Sequence, residues 1–130
     1  MKAVSMRFGR MPDAAILLSA DERIAITTRM IEVYNEQDAD AYVAFMTDDA
    51  CEASYRGAVI REGKEGTRAG LKAMFAQFPQ NRADIVGSWC LGETVMLHEK
   101  VARAPDGDKF EVMSIYTFEG DKVSRVEFIR

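Results

Sequence analysis

Two glutamates carry the first suggestion of chemistry in this sequence. Glu99 lies in the run Thr94-Val95-Met96-Leu97-His98-Glu99-Lys100-Val101-Ala102. Alternation puts Val95, Leu97 and Val101 on one strand face and forces Glu99 onto it, with His98 and Lys100 on the other. A carboxylate among aliphatic side chains loses hydration, so its charged form is disfavoured and its pKa moves toward the range useful for acid–base catalysis. Glu52 lies in Cys51-Glu52-Ala53-Ser54-Tyr55, where alternation gives it the same face as Ser54 and turns Ala53 and Tyr55 away. In residues 109–118 the even positions Phe110, Val112, Ser114, Tyr116 and Phe118 are the apolar ones, so Ser114 is expected to point inward among aromatics. Such a set could catalyse proton transfer on a small apolar carbonyl or hydroxylated substrate, as an isomerase, lyase, cyclase or hydrolase, with Glu99 or Glu52 as the acid/base. Isolated strand glutamates are also commonly solvated or paired with a cross-strand lysine. The alternative is therefore a protein that binds a small hydrophobic molecule without chemistry, or a dimeric interaction protein whose cavity is filled by side chains.

Other chemistries lack their residues. His98 is the single histidine, and Cys51 and Cys90 lie apart in apolar runs without a CxxC or Cys/His spacing. A multi-histidine metal cage is excluded, no metal or cofactor is expected, and the cysteines read as buried free thiols. No GxSxG elbow, P-loop or GxGxxG occurs, so serine-nucleophile, nucleotide and dinucleotide readings have no support. A net charge of −4 at pH 7 supplies no cationic footprint for nucleic acid. With 130 residues, 48% apolar and 29% charged, the chain fits one soluble domain at 19–130, preceded by an arm at 1–18. The apolar run at 14–18 is shorter than a signal core, and Pro12-Asp13 interrupts the approach to it. A cytoplasmic location with no membrane partner follows as the expectation.

The elements that must position these residues are legible in order. Ser19-Ala20-Asp21-Glu22 is a capping box, in which serine and glutamate satisfy each other's free backbone donors, and it predicts a helix over 19–36. Ile24, Ile31 and Tyr34, with Ile26, Met30 and Val33 beside them, give that helix one broad apolar stripe. Asp38 is an N-cap for a shorter helix through Met46 that buries Ala41, Tyr42 and Phe45. A strand at 51–55 turns at Gly57, and a third helix opens near Gly63. Leu71, Met74, Phe75 and Phe78 stand at helical spacing before the stop at Pro79. Gly66 and Gly70 weaken this helix by roughly 1 kcal/mol each, and such glycines often permit close backbone approach. From residue 83 the period becomes two, giving strands at 84–90, 94–102, 109–118 and 122–129 joined by short turns. The result is an α+β fold, three N-terminal helices packed on one face of an antiparallel sheet that the strand at 51–55 joins by long-range pairing.

This order, with Phe45-Met46-Thr47-Asp48-Asp49-Ala50-Cys51-Glu52-Ala53-Ser54 after the second helix, Gly63-Lys64-Glu65-Gly66 opening the third and 118–129 closing the chain, resembles the SnoaL-like and ketosteroid-isomerase-like branch of the nuclear transport factor 2-like superfamily. The resemblance covers residues 20–130. It implies a cystatin-like cone, a curved sheet around the first helix with an apolar pocket at the open end. Family members include isomerases, epoxide hydrolases, polyketide cyclases, dehydratases and binding proteins, so fold alone does not choose a function. Ketosteroid isomerases use a carboxylate base with a tyrosine and a protonated aspartic acid. The positions that match these here are Ser54, Met30 and Ser114, so that activity is expected to be absent. Leu97 to Ala102 also lacks the Arg-x-Asp of the epoxide hydrolases.

A pocket lining is expected from Met30, Tyr34, Phe45, Ser54, Phe75, Leu97, Val112, Ser114, Tyr116, Val126 and Phe128, with Trp89 at its rim. Met113, Ile115 and Thr117 make the outer sheet face partly apolar, and a homodimer through that face is expected.

Overall fold

The computed structural model describes residues 17–130. The expected arm lies outside them except at its end, where Leu17 is exposed and Leu18 packs against the core. Helix α1, Ala20–Asn35, begins where the sequence places it. Ser19 Oγ accepts from the Glu22 backbone N–H at 3.1 Å, and Glu22 Oε1 accepts from the Ser19 backbone N–H at 2.8 Å. Its buried stripe includes Thr27, Met30, Ile31 and Val33, and at its end Asn35 exchanges two hydrogen bonds of 2.8 Å with the backbone of Ala83. Helix α2, Ala39–Val43, is capped by Asp38 as expected but stops before Met46. Met46 instead opens strand β1, Met46–Ser54, because the backbone here enters the sheet beside the last strand.

Strand β2, Val59–Glu62, is an element the periodicity does not show. It forms a hairpin with β1 and leads directly into helix α3, Gly63–Gln77, which buries Thr67, Leu71 and Phe75. The remaining strands are β3, Arg82–Leu91, β4, Thr94–Ala102, β5, Lys109–Glu119, and β6, Lys122–Ile129. They make the expected meander. Leu91 pairs with Thr94 and Glu119 with Lys122, so each of these turns has two central residues. Gly92 and Gly120 supply the positive φ of 59° and 64° that such tight turns require at their first position.

The sheet runs β2-β1-β6-β5-β4-β3. It is not wholly antiparallel: β1 pairs parallel with β6, while every other neighbouring pair is antiparallel. The parallel step arises because α3 and the meander intervene between these two strands in sequence, so direction is set by the crossover and not by a hairpin. Helix α1 packs on β3 and β4, α3 packs on β1 and β2, and α2 bridges the two helices. All three helices therefore lie on one sheet face, and the inner faces of β5 and β6 are left between them.

Buried Arg23 adds a contact the apolar stripe does not foreshadow. Its Nη1 donates to the Gly92 carbonyl at 2.9 Å and its guanidinium lies over Phe118, tying α1 to the β3–β4 turn. Both cysteines are free, as expected, but half-buried and not buried. Cys51 Sγ accepts from Arg125 Nη1 at 3.1 Å. No helix among the described residues is long and apolar enough to cross a membrane.

A candidate acid–base cavity

The space between the helices and the sheet centre is a cavity of about 110 Å³ lined by residues of α1, α2, β1, β2, α3, β4, β5 and β6. Ile31, Leu71, Val101, Val112 and Phe128 form its apolar wall, and Glu52, Glu99, Tyr34, Tyr42, Ser114 and Tyr116 its polar one. Half-exposed Ile60 and exposed Arg130 mark its open side.

The two glutamates share this cavity but differ in their partners. Glu52 is 1% exposed and fully engaged. Arg61, its direct cross-strand partner, donates from Nη1 to Oε1 at 2.6 Å, and the Tyr42 hydroxyl donates to Oε2 at 2.8 Å. A buried carboxylate needs such a cation and such donors to remain charged. The arginine reaches it by passing over Gly70, where a Cβ would lie 2.5 Å from Arg61 Nε. Gly70 therefore does permit a close approach. At Gly66 nothing lies within 4 Å of an added Cβ, and that glycine has no such role.

Glu99 is 5% exposed and has no cation beside it; Oε2 makes no hydrogen bond with the described residues. Burial raises its carboxyl from 4.5 to about 7; the Ser114 hydroxyl opposes the shift, the Glu52 charge adds to it and His98 opposes it weakly. Ser114 stands diagonally across from Glu99, since Glu99 pairs with Val112 and Leu97 with Ser114. Its Oγ is buried beside the Glu99 carboxyl and the Tyr116 hydroxyl, the two groups that draw on it, without a fully aligned hydrogen bond to either. Tyr116, beside them on β5, is buried, and burial pushes its phenol well above its ordinary value. Tyr42 is raised in the same way and for the same leading cause. Both remain protonated hydrogen-bond donors at neutral pH.

Of the expected site residues, Glu52, Glu99, Tyr34, Val112, Ser114, Tyr116 and Phe128 line the cavity together. Met30, Phe45, Phe75, Leu97 and Val126 do not. They pack in the core behind it, because a wide apolar stripe fills the layer between helix and sheet before it reaches the cavity. Ser54 keeps the side of β1 that Glu52 occupies, since Glu52 pairs with Val126 and Ser54 with Phe128, but at the strand end it is exposed, while Ala53 is buried. The pairing with β2 slips beside it, where Ile60 is the extra residue between the partners of Glu52 and Ala53. Trp89 is 54% exposed and lies away from the cavity. A second shift, between Ile85 and Gly87, sets Trp89 opposite Met96 on the outer face, with its ring over Gly87. His98 sits on that face too, 2.6 Å from Glu111 Oε1.

The cations were not foreseen. Arg61, Arg103 and Arg130 all line the cavity. Among the described residues no group of three or more His, Cys, Asp or Glu side chains is placed to hold a metal ion.

The sequence matches the SnoaL-like domain over residues 27–126. The chain belongs to the SnoaL-like family. A solved structure of an uncharacterized cystatin-fold protein from Novosphingobium aromaticivorans is 54% identical, with a TM-score of 0.79, over 83% of this chain and 97% of that one. A candidate polyketide cyclase from Sinorhizobium meliloti shares the fold at 19% identity and a TM-score of 0.68, covering 81% and 94%. A candidate SnoaL-like polyketide cyclase from Jannaschia sp. does so at 14% identity and 0.70, covering 95% and 90%. No curated protein matches this SnoaL-like chain. Its α+β architecture, with three helices on one face of a six-stranded mixed sheet, is thus that of its SnoaL-like and cystatin-fold neighbours.

Proposed function

We propose that this SnoaL-like protein is a cofactor-independent acid–base enzyme on a small substrate, with Glu99 as the group that moves the proton. The observation that carries the reading is a buried glutamate with no ion-pair partner among the described residues, set beside the Ser114 and Tyr116 hydroxyls in one cavity. A carboxyl poised near neutral pH both takes and returns protons, which is the optimum for general acid–base catalysis. In the reaction, Glu99 carboxylate removes a proton from a carbon beside a substrate carbonyl. The C–H electron pair moves onto the carbonyl oxygen, and the Ser114 and Tyr116 hydroxyls donate hydrogen bonds to the oxyanion. Return of the proton to another carbon gives an isomer; alternatively the enolate carbon attacks a second carbonyl, forming a C–C bond and a ring, and the new alkoxide takes the proton from Glu99. Two structural neighbours are described as candidate polyketide cyclases, a name in keeping with the second outcome.

Glu52 has a different part. Its carboxylate is held by Arg61 and Tyr42, so it supplies a fixed polar wall and not a mobile proton. The reaction also differs from ketosteroid isomerisation, because Met30 is sealed in the core and Ser54 is on the surface. The test is exchange of carbon-bound hydrogen for deuterium in D₂O with a panel of short ketones and diketones, followed by NMR. Catalysed exchange is expected with at least one, and Glu99→Gln is expected to lower it by about 10²-fold or more. A panel without catalysed exchange, or exchange that survives in Glu99→Gln, would defeat the reading in favour of ligand binding without chemistry.

We also propose a homodimer through the outer sheet face. Trp89 and Leu91 are exposed there, beside half-buried Met96, Met113 and Ile115. Light scattering at micromolar concentration should give twice the chain mass, reduced toward the monomer in Trp89→Glu; a monomer mass for the parent protein would refute it.

A further inference from the structure

Arg103 has a position that the acid–base chemistry does not explain. It lies just past the end of β4 and lines the cavity. Its guanidinium is over Phe110 at 5.0 Å and Phe78 at 5.4 Å, and Nη1 donates to Asn81 Oδ1 at 2.7 Å. Asn81 is buried and donates in turn to the Tyr34 hydroxyl at 2.8 Å, while its own carbonyl accepts from Gln37. Every group that fixes this cation is thus neutral: an amide, two rings and, at 3.8 Å, the Met74 thioether. No carboxylate lies within 4.0 Å of it among the described residues.

Arg130 repeats the pattern. It also lines the cavity, lies over the same Phe110 ring at 5.4 Å, and forms no ion pair with a side chain among the described residues. The third arginine, Arg61, is already neutralised by Glu52. Two guanidiniums without a side-chain carboxylate partner among the described residues therefore line one cavity of a protein whose net charge is −4. A guanidinium offers five donors in a planar fork that matches a carboxylate, and Arg103 uses one of them on an oxygen.

We propose that the cavity binds a small organic carboxylate, with Arg103 and Arg130 holding the carboxylate and the apolar wall of Ile31, Leu71 and Val112 holding its carbon chain. The proposal rests on the acid–base reading of the same site and names its substrate class: a short carboxylic acid bearing an acidic C–H next to a carbonyl. The arginines anchor one end of the molecule and leave the other to Glu99. Bringing an anion into the cavity also opposes ionisation of Glu99, so binding is expected to weaken as pH rises through neutrality. The groups that face this balance are Glu52, Arg61, Tyr34, Tyr42 and Tyr116 as well as the two arginines.

The test uses the full chain and matched probes. Butanoate, 3-methylbutanoate, benzoate and phenylacetate are compared with their primary amides at constant ionic strength, by thermal shift and calorimetry. At least one acid is expected to bind and raise Tm while its amide does not. Arg103→Gln is expected to weaken that acid about tenfold or more, Arg103→Lys less, and exposed Arg130→Gln by a smaller factor without loss of folding. Failure of every acid to bind, amides that bind as well as acids, or binding unchanged in both Arg103→Gln and Arg130→Gln would overturn the proposal. Deuterium exchange keeps the two readings apart. Exchange in neutral ketones that depends on Glu99, without acid binding, overturns the anion site alone; acid binding without exchange overturns the catalytic reading alone.

Discussion

Glu99→Gln is expected to stabilise the protein by about 2–3 kcal/mol at about pH 8 and to change it little at about pH 4. In the folded state burial raises the carboxyl from 4.5 to about 7. Between those values the folded chain holds a proton that the unfolded chain has released. Stability from this group is therefore fully present below about pH 4.5, falls as pH rises through about 7, and is flat above. Glutamine removes the titration and with it the slope. Its amide also needs an acceptor, which the unpartnered Ser114 hydroxyl can supply, and that requirement sets the gain below the full shift. Urea unfolding of both proteins across this range measures the difference. A parent protein that loses no stability relative to the variant between acid and alkaline pH would mean that Glu99 ionises as an exposed carboxylate does. The cost is intelligible as a functional one: strand β4 would be more stable with an apolar residue at this position, and the acid is retained in the cavity regardless.

Arg61→Met is expected to have the opposite sign and a similar size. It strips the cation from Glu52, which is 1% exposed and would keep only the Tyr42 hydroxyl. Breaking a buried ion pair from one side costs about 3–5 kcal/mol, and the lower end applies because the Arg61 side chain retains 21% exposure. The double variant Arg61→Met/Glu52→Gln should recover much of the loss, since the cost lies in the stranded charge and not in the missing contact. Gly70→Ala probes the same clamp from α3. Alanine favours the helix by roughly 1 kcal/mol, yet its Cβ would displace the arginine side chain, so the substitution should fail to stabilise. A loss below about 1 kcal/mol in Arg61→Met would place the pair among surface salt bridges and remove Glu52 from the fixed polar wall.

The inner face of β4 and β5 was readable because those strands pair without a register shift from Thr94–Thr117 to Ala102–Lys109. Alternation holds along their full length, so Glu99, Val112, Ser114 and Tyr116 fall where period two puts them. The facing of Trp89 was not readable, because it lies beyond the extra residue Val86 in β3. One extra residue in a strand turns every later side chain to the other face. Strand β2 escaped detection for another reason. It has four residues, mostly exposed, at the sheet edge, so no burial pattern marks it. The parallel pairing of β1 with β6 and the convergence of Arg61, Arg103 and Arg130 are tertiary facts, set by chain crossings that local periodicity does not encode. The capping box at Ser19 was the opposite case, a local hydrogen-bond exchange written wholly within four residues.

The protonation state of Glu99 tests the acid–base account most directly. Infrared difference spectra of the unliganded protein, taken stepwise from about pH 5.5 to pH 9, isolate it from the exposed carboxyls, which are already ionised over that range. The spectra should lose one carboxylic-acid C=O band with a midpoint of about 7, and Glu99→Gln should abolish that change. Spectra without a carboxylic-acid band above pH 5.5, or with a band that persists in Glu99→Gln, would contradict the account.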